Sequence, residues 1–443
     1  MGENSTLEAA DPAAAVIDPP AALPSRAVPE PAPVAAPQVL RSEQLRRLAD
    51  TAAAVLVLPV PAVDHERALP PEALARVLDV IEASTAAATK KAYRSDWQRF
   101  AAWAGRRRFP PLPAPPAVIA PYVTEAAAEQ TGVGKWRYAP ATLTRWVSSI
   151  NQVHTAAGLD APGRAEVVRR ALSGIRRIRA TPPNRRAPLL LADIRTLMTC
   201  IGETTAGWPA GVGARRDMAV LLMGFAGAHR RGELVGLTLA DITLHSTDGV
   251  QVRLRTSKTD QEAHGTVKAL PYGRDPVTCP PCAYVRWRQV LQAWDSTDPD
   301  GRRRAVMTVL RRQTATAGSG GDDGEIEPQH CCRGARFAEP ADPDRALFPS
   351  VHATGAIGGT AMTGHAINEM IRRRAAAAGF TAAQVARLGG HSLRAGFVTE
   401  AFRAGADAHA IMRQTGHRSP VLLEVYAREH APLVGNAVTR LGL

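Results

Sequence analysis

Residues 181–188, TPPNRRAP, divide this chain more firmly than any other stretch of its 443 residues. Pro182 and Pro183 lack backbone N–H groups, and the residue before a proline is held extended, so a helix running into this segment stops there. Most of the sequence from about residue 72 to residue 180 repeats at helical spacing, whereas the part after residue 188 mixes helical and alternating runs. At least two separately packed units follow, within the two or three domains that this length ordinarily makes.

The first unit is expected over 72–180. EALARVLDVIEAS reads as one amphipathic helix, and TAAATKKAYRSDWQRFAAWAGRRR sets Tyr93, Trp97, Phe100 and Trp103 at three- and four-residue steps, an aromatic stripe for a core. The opposite face carries Lys90, Lys91, Arg94 and Arg99, and the helix ends on Arg106, Arg107 and Arg108. Such a face is often simply solvated; with one sign dominating, a surface for DNA is an equal reading. Further helices in PAVIAPYVTEAAAE, ATLTRWVSSINQVHTAAG and AEVVRRALSGIRRIRA make a bundle of four or five. Residues 1–71 are expected to be a disordered Ala/Pro-rich region with one short helix within 38–60.

The second unit is expected over 189–443, beyond the 181–188 linker. RRDMAVLLMGFAGAH is nearly all apolar, hence a buried helix, and Arg230 emerges at its end beside GELVGLTL. VQVRLRT alternates as a strand with residues Gly265–Leu270 as partner, so Lys258 lies at or near their turn, with Lys268 in the same hairpin. Residues 312–340 are Gly-, Asp- and Thr-rich and read as a mobile insertion. Four helical segments follow, GHAINEMIRRRAAAAG, HSLRAGFVTEAFRAG, DAHAIMRQTG and PVLLEVYAREH, with Gly416 suited to end the third. The fold class is therefore mainly α with a small antiparallel β-sheet. In the tail, Leu433, Val434, Ala437, Val438 and Leu441 recur at helical spacing, a stripe suited to a partner surface.

Lys plus Arg number 54 against 41 acidic residues, a net charge of +13. That surplus favours a polyanionic partner, since phosphate neutralisation supplies most nucleic-acid affinity. A GC-rich codon bias accounts for some arginines but not for their clustering around motifs. Five cysteines are too few for a disulfide framework. Cys279 and Cys282 form CPPC, and Cys331 and Cys332 adjoin His330, so a zinc site can be drawn; the plainer reading is that the prolines turn the chain into the helix AYVRWRQVLQAW. No metal site is expected. With Glu3, Glu8 and Asp11 near the start and no membrane-length apolar run, a cytoplasmic setting is expected.

Within the second unit an ordered set of polar side chains remains: Arg230 with Glu233, Lys258, His391 with Arg394, His417 and Tyr426. Arginine offers a permanently charged fork matched to phosphate oxygens. Histidine donates or moves a proton near neutral pH, and tyrosine offers an oxygen nucleophile. His391 and Arg394, three apart on a helix, point the same way. Taken singly, Arg230 is also readable as a salt bridge to Glu233, His417 as a helix terminus and Lys258 as a solvated turn lysine. No acidic cluster accompanies the set, so no cofactor is expected.

The order R-x-x-E, hairpin lysine, H-x-x-R, G-H-x-S and tyrosine resembles the tyrosine recombinase (phage integrase) family, through roughly the C-terminal half and more loosely through the helices before it. The resemblance implies a helical core-binding domain followed by a catalytic domain. It implies site-specific cutting and rejoining of double-stranded DNA through a 3′-phosphotyrosyl link on Tyr426, without metal or ATP. Arg230, Arg394 and His417 would neutralise the transition state, with Lys258 as acid, His391 assisting Tyr426, and Glu233 orienting its neighbours. DNA contacts are expected from Lys90, Lys91, Arg94, Arg99 and Arg145, and a homotetramer on the nucleoid is the implied assembly. A type IB topoisomerase would use nearly the same residues, and a non-catalytic DNA-binding protein would not need Tyr426.

Overall fold

A computed structural model describes residues 84–180, 185–203, 207–255, 265–318 and 329–421, with single residues Glu72, Arg76, Asp79, Val80, Leu423, Glu424, Tyr426 and Leu441. The N-terminal region before residue 72, Lys258 and the tail stripe at 433–438 lie outside the described residues. The chain divides into two compact units, Met1–Pro182 and Pro183–Leu443.

The first unit is built from α1 (Ala87–Arg106), α2 (Pro116–Ala128), α3 (Pro140–Ala156) and α4 (Glu166–Arg179). Both α2 and α3 begin with proline, whose fixed φ suits the first helical position and whose missing N–H would be unpaired there. The aromatic stripe of α1 turns inward: Trp97 and Phe100 are buried against Tyr122 of α2 and Trp146 of α3. Burying each such side chain contributes roughly 1.5–3 kcal/mol. An exposed pair such as Arg107–Glu125 adds at most about 1 kcal/mol. The stripe, not the charged face, holds the bundle.

The second unit is mainly helical with small antiparallel sheets. Its centre is α6 (Ala210–Ala226), buried on nearly every side as its apolar run requires. Around it lie α5 (Leu191–Gly202), the short α7 (Arg231–Gly236), α8 (Pro280–Asp295), α9 (Arg302–Gly318), α10 (Gly364–Ala377), α11 (Ala382–Ala386), α12 (Gly390–Arg403) and α13 (Ala408–Thr415). One sheet has the order β1 (Ile242–His245), β2 (Gly249–Leu254) and β3 (Thr266–Leu270), all antiparallel. A second pairs β4 (Pro349–Val351) with β5 (Ile357–Ala361). Asp217 of α6, fully buried, accepts hydrogen bonds from Arg216 (2.7 Å) and from Arg373 (3.2 Å) and Arg374 (2.9 Å) of α10, tying the two helices together.

Two glycines have positional reasons. A Cβ on Gly396 would stand 1.7 Å from the Leu189 carbonyl oxygen, so only glycine lets α12 pack on the segment that follows the linker. Gly416 takes φ 67° at the end of α13, a left-handed cap that L side chains rarely adopt. One expectation is revised. Within the proposed insertion at 312–340, residues up to 318 complete α9, where Val306 and Leu310 one turn apart are buried, and residues 329–340 bury Cys332 and pack Phe337 on the core. Residues 319–328 lie outside the described part. Among the described residues, no helix is long and apolar enough to cross a membrane.

Candidate active site

Arg230 is the N-cap of α7. Its backbone N–H donates to Glu233 Oε2 (3.0 Å) and its Nη1 to Glu233 Oε1 (2.7 Å), so one carboxylate both caps the helix and aims the guanidinium. The Arg230 side chain keeps 22 % of its surface exposed, while that of Glu233 keeps 4 %. Burial alone would favour the neutral acid, but Lys268 and the hydrogen bonds from Arg230 outweigh it and hold Glu233 far below the usual carboxylate range.

Lys268 lies beneath this pair. Its register partner on β2 is Val252, which is also buried, so its side chain faces the core. Nζ donates to the Gly227 carbonyl (2.8 Å) and stands 3.6 Å from Glu233 Oε2. Burial pushes its ammonium down to about 8 despite Glu233. An amine this enclosed, at 2 % exposure, braces Glu233 rather than reaching outward.

Arg394 projects from α12 and is buried. Nη1 donates to the carbonyls of Ala228 (2.8 Å) and Thr415 (2.6 Å), and Nη2 lies 2.9 Å from His417 Nε2. A guanidinium has five N–H groups, and among the described residues three of those of Arg394 are engaged in these bonds. Burial and Arg230 push its pKa down to about 10, still cationic at neutral pH.

His417 follows the left-handed Gly416. Thr415 Oγ1 donates to the Ile411 carbonyl (2.8 Å) and therefore accepts from His417 Nδ1–H (2.9 Å). Nε2 is then the unprotonated nitrogen and accepts from Arg394, a tautomer assigned from the network. Burial, with Arg394 and Arg230 nearby, pushes the imidazole down to about 4. This differs from the expected donor role: as arranged here, His417 orients Arg394 and offers a lone pair.

Tyr426 comes from a helical segment beginning at Pro420. It packs against the small cluster of Val398, Ile411 and Leu423, which joins α12 and α13 to that segment. Its hydroxyl lies 2.8 Å from His391 Nε2. Burial, then Arg394 and Arg230, lowers the His391 pKa, so the ring is neutral at pH 7 and can accept the phenolic proton.

The structure thus places in one unit the pairs Arg230–Glu233, His391–Tyr426 and Arg394–His417, with the rings of His417 and Tyr426 6.2 Å apart. Sequence reasoning overlooked Thr415 and His229. Thr415 directly precedes the Gly-His pair, the only local signal for it. His229 is fully buried with its Nδ1 3.7 Å from Glu233 Oε2 and no hydrogen bond to its ring among the described residues. Its place at the end of the apolar run could have marked it as interior. In the first unit, Lys91 and Arg94 are exposed and Lys90 is half-buried. Arg99 lies over the rings of Tyr138 and Trp146, and Arg145 makes a two-point ion pair with Asp96 (2.8 and 2.9 Å).

By sequence, the chain is similar to an integrase/recombinase XerD homolog of Selenomonas ruminantium, 28% identical over 364 residues that span 82% of this chain and 87% of that protein. Among solved structures it is similar to the XerH site-specific recombinase bound to a palindromic difH substrate, at 12% identity and TM-score 0.47, covering 90% of this chain and 95% of that one. It is also similar to the XerA recombinase, at 17% identity and TM-score 0.32, covering 80% and 93% respectively. No family model matches the chain. The chain is thus similar, along most of its length, to an integrase/recombinase, and it carries the motif residues in the order that the resemblance implies.

Proposed function

We propose that this protein is a site-specific DNA recombinase or integrase in which Tyr426 is the nucleophile. The observation that carries this reading is the 2.8 Å contact between the Tyr426 hydroxyl and the neutral His391, beside the Arg394 guanidinium. Tyr426 Oη attacks the scissile phosphorus and its proton passes to His391. A phosphotyrosyl bond forms as the bond from phosphorus to the 5′ oxygen breaks, leaving a 3′-phosphotyrosyl end. One phosphoester replaces another, so the step needs no external energy.

Charge built on the non-bridging oxygens is met by the Arg394 guanidinium and by Arg230, which Glu233 aims and Lys268 braces from below. His417 acts through Arg394. Lys258 is the acid assigned to the departing 5′ oxygen, as its hairpin position suggests. The DNA partner is supported by the +13 net charge and by a site richer in cations than anions. In the first unit, Lys90, Lys91 and Arg94 offer charge to the backbone, and Arg99 and Arg145 contribute from within their contacts to Tyr138 and Asp96. A synapse of four protomers on two duplexes completes the reading.

The test uses sheared genomic DNA from the source organism. After incubation and denaturation, DNA retained covalently on the protein is sequenced, with Tyr426→Phe alongside. Recovery of one recurrent sequence by the wild-type chain alone is expected. A retained adduct in Tyr426→Phe removes Tyr426 as nucleophile, and trapping at unrelated sequences with plasmid relaxation favours a topoisomerase.

A further inference from the structure

A second polar cluster lies at the start of α8. Cys279 is the N-cap of that helix and Cys282 sits one turn on, so the two sulfurs share a face. The intervening Pro280 and Pro281 start the helix, as a turn reading of CPPC requires, and in doing so set the spacing of the thiols. His330 and Cys332 reach the same point from the chain that returns after α9. Sγ of Cys332 is 3.9 Å from Sγ of Cys279 and 3.4 Å from Sγ of Cys282. Nδ1 of His330 is 3.5 Å from Sγ of Cys282 and 3.9 Å from Sγ of Cys332. All four atoms lie within 4.8 Å of one another, and the three cysteines are wholly buried.

We propose that Cys279, Cys282, His330 and Cys332 bind one structural zinc ion. Zn–S bonds of about 2.3 Å and a Zn–N bond of about 2.0–2.1 Å at tetrahedral angles give ligand–ligand edges of roughly 3.5–3.8 Å, close to the four separations of 3.4–3.9 Å above. A disulfide needs sulfurs about 2.05 Å apart, and it would in any case use only two of the three. An iron–sulfur cluster spreads its ligands over several iron atoms and needs a wider cage. Three soft sulfurs and one imidazole suit zinc among the divalent ions.

The surrounding backbone has the groups that a metal site uses to hold its ligands. The Nε2 of His330 lies 3.2 Å from the Arg274 carbonyl, which fixes the proton there and leaves Nδ1 as the ligand atom. The Gly273 N–H donates to Sγ of Cys279 at 3.3 Å. A Cβ on Gly273 would stand 2.9 Å from Cys279 Cα, so glycine is what permits that approach. With four protein ligands the ion is closed to substrate and its role is mechanical. It clamps residues 330–332 to the head of α8. Through residues 271–278 it also fixes the exit of β3, the strand that carries Lys268.

Untagged full-length protein, expressed with zinc and dialysed, should carry one zinc per chain by elemental analysis. A mercurial that blocks thiols should release it. Replacement by cobalt(II) should give the intense visible bands of a tetrahedral site with sulfur-to-metal charge transfer. Cys282→Ser and Cys332→Ser should lose the metal and melt several degrees lower. Cys200→Ser and Cys331→Ser should keep it, and His330→Cys should keep it with stronger charge-transfer bands. Wild-type protein without stoichiometric zinc and without those cobalt bands overturns the proposal, as does full zinc retention in both Cys282→Ser and Cys332→Ser. The wild-type measurements stand even if a variant does not fold.

Discussion

Two polar clusters lie in the second unit, joined by the single run of chain from β3 to the head of α8, and their compositions are opposite. Around Glu233, three cations (Arg230, Lys268 and Arg394) face one carboxylate, and the neighbouring imidazoles are held neutral. Around Cys332, every side chain offers an electron pair: three sulfurs and one nitrogen. Buried charge is tolerated only when it is paired, so the sign of each imbalance names the class of ligand. The first cluster suits an anion that can enter and leave, since Arg230 keeps part of its surface exposed. The second has its three sulfurs buried and only His330 partly exposed, and it suits a cation that stays.

The largest effect should come from reducing the cationic excess of the first cluster. Arg230→Ala and Arg394→Ala are each expected to slow strand cleavage by about 10²–10³-fold, the loss typical of one transition-state donor. Arg394→Lys should rescue poorly, because an ammonium cannot serve two carbonyls, His417 and a phosphate together. Single-turnover cleavage of a trapped site measures this, and near-normal rates in Arg394→Lys would break the geometric argument.

Glu233→Gln removes the one anion beneath those cations. Leaving Lys268 buried without its partner should cost about 3–5 kcal/mol in urea unfolding, the range for breaking a buried pair. A loss below about 1 kcal/mol would mean that the pair behaves as a surface bridge, and the contrast between the clusters would lose its basis.

The smallest effect is on pH dependence. His391 has a depressed pKa, so it is neutral and able to accept a proton above its ordinary 6.5. Cleavage should therefore fall as pH drops through the lowered value, by about tenfold per unit at the limit. A His391→Gln variant should be slower and lack that acidic limb. A rate that rises as pH falls from 7 to 5 would exclude His391 as the proton acceptor.

Much of this architecture was legible because local chemistry decides it. Pro182 and Pro183 mark the break, Trp97 and Phe100 mark a core face, and β2 with β3 alternates openly. His391 and Arg394 share a face of α12 because three residues make most of a helical turn. Other features depend on partners distant in sequence. Whether Lys268 faces in or out is a matter of register against Val252, and His417 becomes an acceptor only through Thr415 and Arg394. Strand β1 is only four residues long, and Gly358 and Gly359 weaken the strand signal of β5. His330 and Cys332 meet Cys282 across 48 and 50 residues, a closure that no periodicity announces.

The account rests above all on Tyr426, and the most direct measurement is to locate the covalent bond. A nicked duplex carrying the trapped sequence is incubated with the wild-type chain, the protein is digested with trypsin, and mass spectrometry identifies the peptide bearing DNA. The expected product is peptide 419–428, SPVLLEVYAR, joined through Tyr426 to a 3′-phosphate, with a free 5′-hydroxyl on the released strand. A bond to another residue, a 5′-phosphate linkage, or cleaved DNA with no protein attached would contradict it.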